Sequence, residues 1–253
     1  MTDGYREFEF DLPGALFQNL VSILDSMAPA PLTTEALSGV PEAQGVYQLF
    51  LDGDLVYVGK TDAEAGLFKR LARHSRKTMH RHSLSPERVA FKAVRIFVFT
   101  AMDLETQLIK HYKDDGAATI WNGSGFGAND PGRKRDTSAP GRFDSEYPID
   151  YDRPLGEDFT GTSTAAEVAA RLKSVLPYTF RFQLAARRGR APHPELAETN
   201  VTISGSSVTA RSVLRELTEQ LPAGWQATAL SALLILYKER VENYPGATVI
   251  ARS

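Results

Sequence analysis

Between positions 47 and 122 the chain holds a run of residues able to move protons and neutralise phosphate. Tyr47 and Tyr57 stand ten apart, Lys60 follows the Gly59 after Tyr57, Arg70 and His74 are four apart, and Glu105 and Asn122 come later. Hydrolysing a phosphodiester needs a positioned water, a base, charge neutralisation at the phosphoryl oxygens and help for the leaving oxygen. Taken singly, each residue also has a plain reading: a packed strand Tyr, a surface Lys, a solvent-facing helix Glu. The charge distribution is open to both readings, a phosphate-binding surface or a solvated helix face with many Lys and Arg. Residues 1–57 carry nine acids and one base, whereas residues 58–113 carry twelve bases, five acids and four of the five histidines. A basic block inside a chain of net charge −2 is what phosphate-backbone binding requires.

Elements must bring these residues together. Residues 45–51 (GVYQLFL) and 55–58 (LVYV) flank Asp52-Gly53, a hairpin signal. Leu67 and Leu71, with bases at 69, 70, 73 and 76, predict a helix whose one face carries Arg70 and His74. Residues 89–99 read as a third strand. Thr100 is a plausible cap, with Asp103 three residues on, for a helix with an apolar stripe at Leu104, Leu108, Ile109 and Tyr112. Residues 121–146, rich in Gly, Asn, Asp, Pro and Arg, read as a long functional loop. Upstream, apolar positions Leu16, Leu20, Ile23 and Leu24 predict a helix over 13–27, ended by Pro29 and Pro31. Downstream, 165–175, 208–219 and 228–244 read as helices and 179–184 as a strand. The order describes a small α/β (α+β) unit on a short sheet.

The ordered set GVY (45–47), YVG (57–59), Arg70, Glu105 and Asn122 resembles the GIY-YIG nuclease family, with both half-motifs as conservative variants. The Arg70/His74 pair, WNGSGFGANDPGRKRDT (121–137) and FDSEYPID (143–150) further resemble its type II restriction endonuclease branch, which includes enzymes that cut the palindrome CCGCGG. The resemblance implies a three-stranded, mostly antiparallel sheet flanked by helices. It makes Tyr47 the general base, its phenolate stabilised by Lys60, Arg70 and the metal. Tyr57 would hold the nucleophilic water or a phosphate oxygen, and Arg70 would neutralise the scissile phosphate. His74 would relay the proton or bond the phosphate. Glu105 would hold one Mg2+ (or Mn2+) per active site, and Asn122 would orient Glu105 or a backbone segment. Arg73 is the alternative arginine, off the face of His74. His80 and His82 have no family role and read as surface residues. Arg133, Lys134 and Arg135, or Arg187, Arg188 and Arg190, could reach guanine edges or phosphates.

The function expected is therefore site-specific cleavage of double-stranded DNA by a homodimer, with a cognate DNA methyltransferase as functional partner. The competing expectations are a GIY-YIG nuclease of repair, recombination or mobile-element transfer, and a non-catalytic DNA-binding protein on a nuclease-like core. The expected organisation is an N-terminal helical extension (1–40), the nuclease core with its loop (41–153), and a C-terminal α/β extension (154–253). Cysteine is absent, which excludes disulfides, thiolate metal sites and a Cys nucleophile. The acidic, interrupted opening residues do not read as a secretory signal, and the apolar run 232–237 is too short to span a bilayer. A cytoplasmic protein without membrane partners is expected.

Overall fold

In a computed structural model the described residues are 4–62, 64–97, 104–128, 132–186, 189–205, 208–239 and 244–253, and the side chains of Lys134 and Arg135 fall outside the description. Thr100, Asp103, Arg187 and Arg188 lie outside the described residues. The chain is mixed α/β and divides into two compact units, residues 1–75 with 86–122 and residues 76–85 with 123–253. Among the described residues no helix is long and apolar enough to cross a membrane.

The first unit opens with α1 (Leu12–Ser26), capped by the Asp11 carboxylate on the Gly14 amide and buried along Leu20, Val21 and Leu24. The edge strand β1 (Ala30–Pro31) and the single-turn α2 (Thr34–Leu37) follow. The hairpin β2 (Gly45–Leu51) and β3 (Asp54–Thr61) turns at Asp52 and Gly53, whose φ angles of 53° and 96° match the right-handed strand twist. Next come α3 (Leu67–Thr78), whose last turn belongs to the second unit, then β4 (Val89–Arg95) and α4 (Leu104–Asp114). The sheet is antiparallel in the order β1-β4-β2-β3. It has four strands where three were expected. The extra strand is two residues long and ends in Pro31, which lacks an amide hydrogen and so suits only an edge.

Strand alternation sorts the hairpin's side chains onto two faces. Val46 and Val58 pack on Leu20 and Leu24 of α1 and on Leu104 and Leu108 of α4. Tyr47 and Tyr57 lie on the opposite face, where His74 of α3 meets both rings.

In the second unit α5 (Arg142–Glu146) interrupts the stretch expected to be loop. Then follow β5 (Gly161–Thr164), α6 (Ala165–Val175), β6 (Thr179–Phe182), α7 (Pro194–Glu198), β7 (Asn200–Ile203), α8 (Ala210–Glu219), β8 (Gln226–Ala229), β9 (Leu233–Tyr237) and β10 (Thr248–Arg252). β5 pairs with β7, and a four-stranded sheet has the order β10-β8-β9-β6, with β6 parallel to β9. The helix expected over 228–244 is therefore not formed. Its apolar run, Leu233 to Tyr237, is buried at every position as a strand, a pattern that periodicity cannot distinguish from a buried helix. The core gathers Leu172 of α6, Leu214 and Leu217 of α8, Phe180, Trp225 and Leu234.

Candidate active site

The site starts at one register position. Tyr47 of β2 stands directly opposite Gly59 of β3 and, on its other side, opposite Ala93 of β4. Opposed side chains in a sheet are only about 5 Å apart, so two small neighbours leave room for the phenol ring. At Gly59 a Cβ would fall 2.5 Å from Tyr47 Cζ and 2.8 Å from Tyr57 Cε1. At Gly45 it would fall 2.3 Å from the Val94 carbonyl oxygen. Both motif glycines are thus demanded by close approach. The Tyr47 and Tyr57 ring centroids lie 6.0 Å apart, and each lies 5.5 Å from the His74 ring.

α3 supplies the polar partners one turn apart. Tyr47 Oη lies 2.8 Å from His74 Nε2, and Arg70 Nε donates to the same oxygen at 3.3 Å. A guanidinium can only donate, so the phenol accepts from Arg70. The direction of the 2.8 Å contact with Nε2 is set by the His74 tautomer: the phenol donates when the ring carries its proton on Nδ1 and accepts when it carries it on Nε2. Arg73 is exposed, so Arg70 is the arginine that the fold brings to Tyr47.

Burial, followed by the neighbouring Tyr57, pushes the Tyr47 phenol far above its ordinary range, and the Arg70 contact that lowers it does not compensate. Without a metal, the Arg70 contact by itself does not bring phenolate into the neutral range. Burial thus favours the phenol form of Tyr47, with His74 Nε2 in hydrogen-bond contact with its hydroxyl. Burial alone would depress Arg70, but its contacts with Tyr47 and Tyr57 hold its pKa above the ordinary value.

Arg70 also lines an open cleft of about 440 Å³ with Gln44, Lys60, Thr61, Asp62 and Glu105. α4 is anchored through buried Leu104 and Leu108, leaving Glu105 half-buried at the cleft. Among the described residues no group of three or more His, Asp or Glu is placed to hold a metal. The cleft does hold two hard oxygen donors, Glu105 and Asp62, which suits Mg2+, an ion that keeps several waters and takes one or two carboxylates.

Asn122 acts on backbone. Its Nδ2 donates to the Val58 carbonyl at 2.8 Å, and its Oδ1 accepts from the Val58 amide at 2.9 Å. The Trp121 amide donates to the Val56 carbonyl at 2.9 Å. The carboxamide thus caps the outer edge of β3 as a neighbouring strand would, between Tyr57 and Gly59. Of the two roles open from sequence, orienting Glu105 or a backbone segment, the geometry displays the second.

The other expected DNA-contacting residues belong to the second unit. Arg133 stacks on the Tyr237 ring, 4.0 Å from its centroid, and donates to Gln183 Oε1 at 3.4 Å. Lys134 and Arg135 belong to a short helical turn over 132–135, and Arg190 is exposed. His82 is exposed, but His80 is half-buried against Tyr178 rather than a surface residue. Sequence reasoning missed Lys77, whose ammonium holds the Gly125 and Phe126 carbonyls at 3.0 and 2.6 Å, and the buried ion pair Arg81–Asp144 at 2.9 Å. The signal was available: Arg70, His74 and Lys77 fall on one helical stripe. Gln44, Thr61 and Asp62 of the cleft carried none.

No family model matches the chain, and a search of curated proteins finds no match to it.

Proposed function

We propose that the chain is a metal-dependent DNA endonuclease built on a GIY-YIG-like core, cutting a palindromic duplex site as a two-fold dimer. The observation that carries the reading is the Tyr47 hydroxyl held between His74 Nε2 and Arg70 Nε, with Arg70 shared by a cleft that contains Lys60 and Glu105. Arg70 is the movable piece. Its 3.3 Å contact with Tyr47 is long for a hydrogen bond, so exchanging it for a phosphate oxygen costs little. That exchange frees an acceptor position on the phenol for the attacking water. Tyr47 then takes a proton from the water as it hands its own to His74, the water oxygen bonds to phosphorus, and the 3′ oxygen departs and is protonated from solvent. In this relay the phenol never has to stand as phenolate, which accords with its raised pKa. Glu105, with Asp62 nearby, would hold the divalent ion, whose charge offsets that of the phosphoryl and departing oxygens.

The test is incubation of the purified protein with plasmid and Mg2+, then sequencing of the ends. Fragments with 5′-phosphate ends at one repeated site are expected. Tyr47→Phe and Glu105→Ala should bind the same duplex and cut it at least about 10²-fold more slowly. No cleavage by the wild type with Mg2+ or Mn2+, or near-normal cleavage by Tyr47→Phe, refutes the reading.

A further inference from the structure

The exposed large apolar residues among the described positions are Tyr5, Phe8, Phe10, Leu12, Ile23 and Phe97. They are not scattered. Phe10, Leu12, Ile23 and Phe97 line one groove of about 500 Å³ between α1 and the end of β4, floored by Leu16, Leu20, Val94 and Ile96. Phe8 stacks on Phe10, ring centroids 6.4 Å apart and planes 6° apart, and so extends the groove outward. Isolated exposed apolar residues are ordinary, whereas a contiguous face that gathers them is not.

Phe8, Phe10 and Phe97 are 88%, 59% and 77% exposed, and Leu12 and Ile23 are 58% and 48% exposed. At about 200 Å² per aromatic side chain, the three rings leave roughly 450 Å² in water. Leu12, Ile23 and the groove walls bring the face towards the ~800 Å² that each partner buries in a stable interface. Its rim is polar and of both signs. Glu7, Glu9 and Asp11 interleave with the phenylalanines, and the Arg95 guanidinium lies over the Phe97 ring, 4.2 Å from its centroid. A self-complementary contact needs both members of each interaction on one surface. Here the same surface holds the groove, the aromatic segment able to fill it, an acidic rim and a basic one.

We infer that this face binds a second copy of the chain through an isologous interface, the Phe8–Phe10 segment of one protomer seated in the α1/β4 groove of its partner. This gives the two-fold dimer of the proposed function a surface, and it rests on exposure, area and charge rather than on DNA cleavage.

The experiment is sedimentation velocity of the full chain from 1 to 100 µM, with Phe8→Glu and Ile23→Glu beside the wild type. Both positions are exposed, so neither substitution breaks the fold, and circular dichroism checks this. The wild type should sediment at twice the chain mass. Each variant should dissociate at concentrations at least about tenfold higher than the wild type does, because a charge enters a desolvated apolar centre. A monomeric wild type at 100 µM overturns the inference, even if the face then binds vesicles or another protein. So does a dimer that both variants leave unchanged. A wild-type dimer that both variants disrupt, formed by a wild type that cuts no DNA, would sink the nuclease reading and leave this one standing.

Discussion

Gly59→Ala puts the whole tyrosine arrangement under test with one methyl group. The new Cβ would meet Tyr47 Cζ and Oη at 2.5 Å, against about 3.4 Å for ordinary contact, so the ring must retreat by about 0.9 Å. Tyr47 is fully buried, with Ala93 opposite and the Tyr57 and His74 rings beside it, so no free space receives the ring. Overpacking of this kind costs about 1–3 kcal/mol, which for a unit of this size lowers the melting temperature by roughly 3–15 °C. A shift of that size also suffices to take the 2.8 Å Tyr47–His74 bond out of range. Misplacement by about 1 Å costs on the order of 10²-fold in rate. Thermal unfolding by circular dichroism reads the packing, and single-turnover cleavage of a duplex reads the proton relay. An unchanged melting temperature would refute the packing argument whatever the activity. A lowered one with full cleavage would refute the claim that the phenol's position governs the chemistry.

Asn122→Ala should lower stability by about 2–4 kcal/mol, since it leaves the amide and carbonyl of buried Val58 without side-chain partners. Hydrogen exchange at the Val58 amide should quicken with it, and unchanged protection there would mean that water or a neighbouring group replaces Asn122. Burial, and then the Arg153 charge, hold the His80 imidazole below its ordinary value, while Asp150 pulls the other way. The folded value lies below the unfolded value of about 6.5, so this stability is present above that pH and lost as pH falls from there towards the depressed value. His80→Asn suits the position's φ of 49°. It should flatten the fall in melting temperature between about pH 7 and 5; an unchanged slope assigns that pH dependence to another group.

The sequence by itself determined the hairpin, α3 and α4 of the first unit, because their signals are local. Asp52-Gly53 between two β-rich runs leads to the observed hairpin, the spacing of Arg70 and His74 puts both beside Tyr47, and the Leu104–Leu108 stripe becomes the buried side of α4. The α6 range, 165–175, was legible for the same reason, as was α8 within two residues. What failed were signals that local pattern does not contain. Leu233–Tyr237 is apolar at every position, and only its pairing with β6 and β8 made it a strand. β1 exists because β4 offers an edge, and nothing in Ala30–Pro31 announces it. The stripe on α1 included Ile23, which the tertiary structure turns outward. In the candidate site, sequence named the residues that meet but not the state in which they meet. The protonation of Tyr47 depends on how completely the sheet and α3 exclude water around it, and the role of Asn122 depends on which strand edge its loop returns to. Both are long-range consequences of packing, decided by contacts between residues 27 and 64 positions apart in the chain.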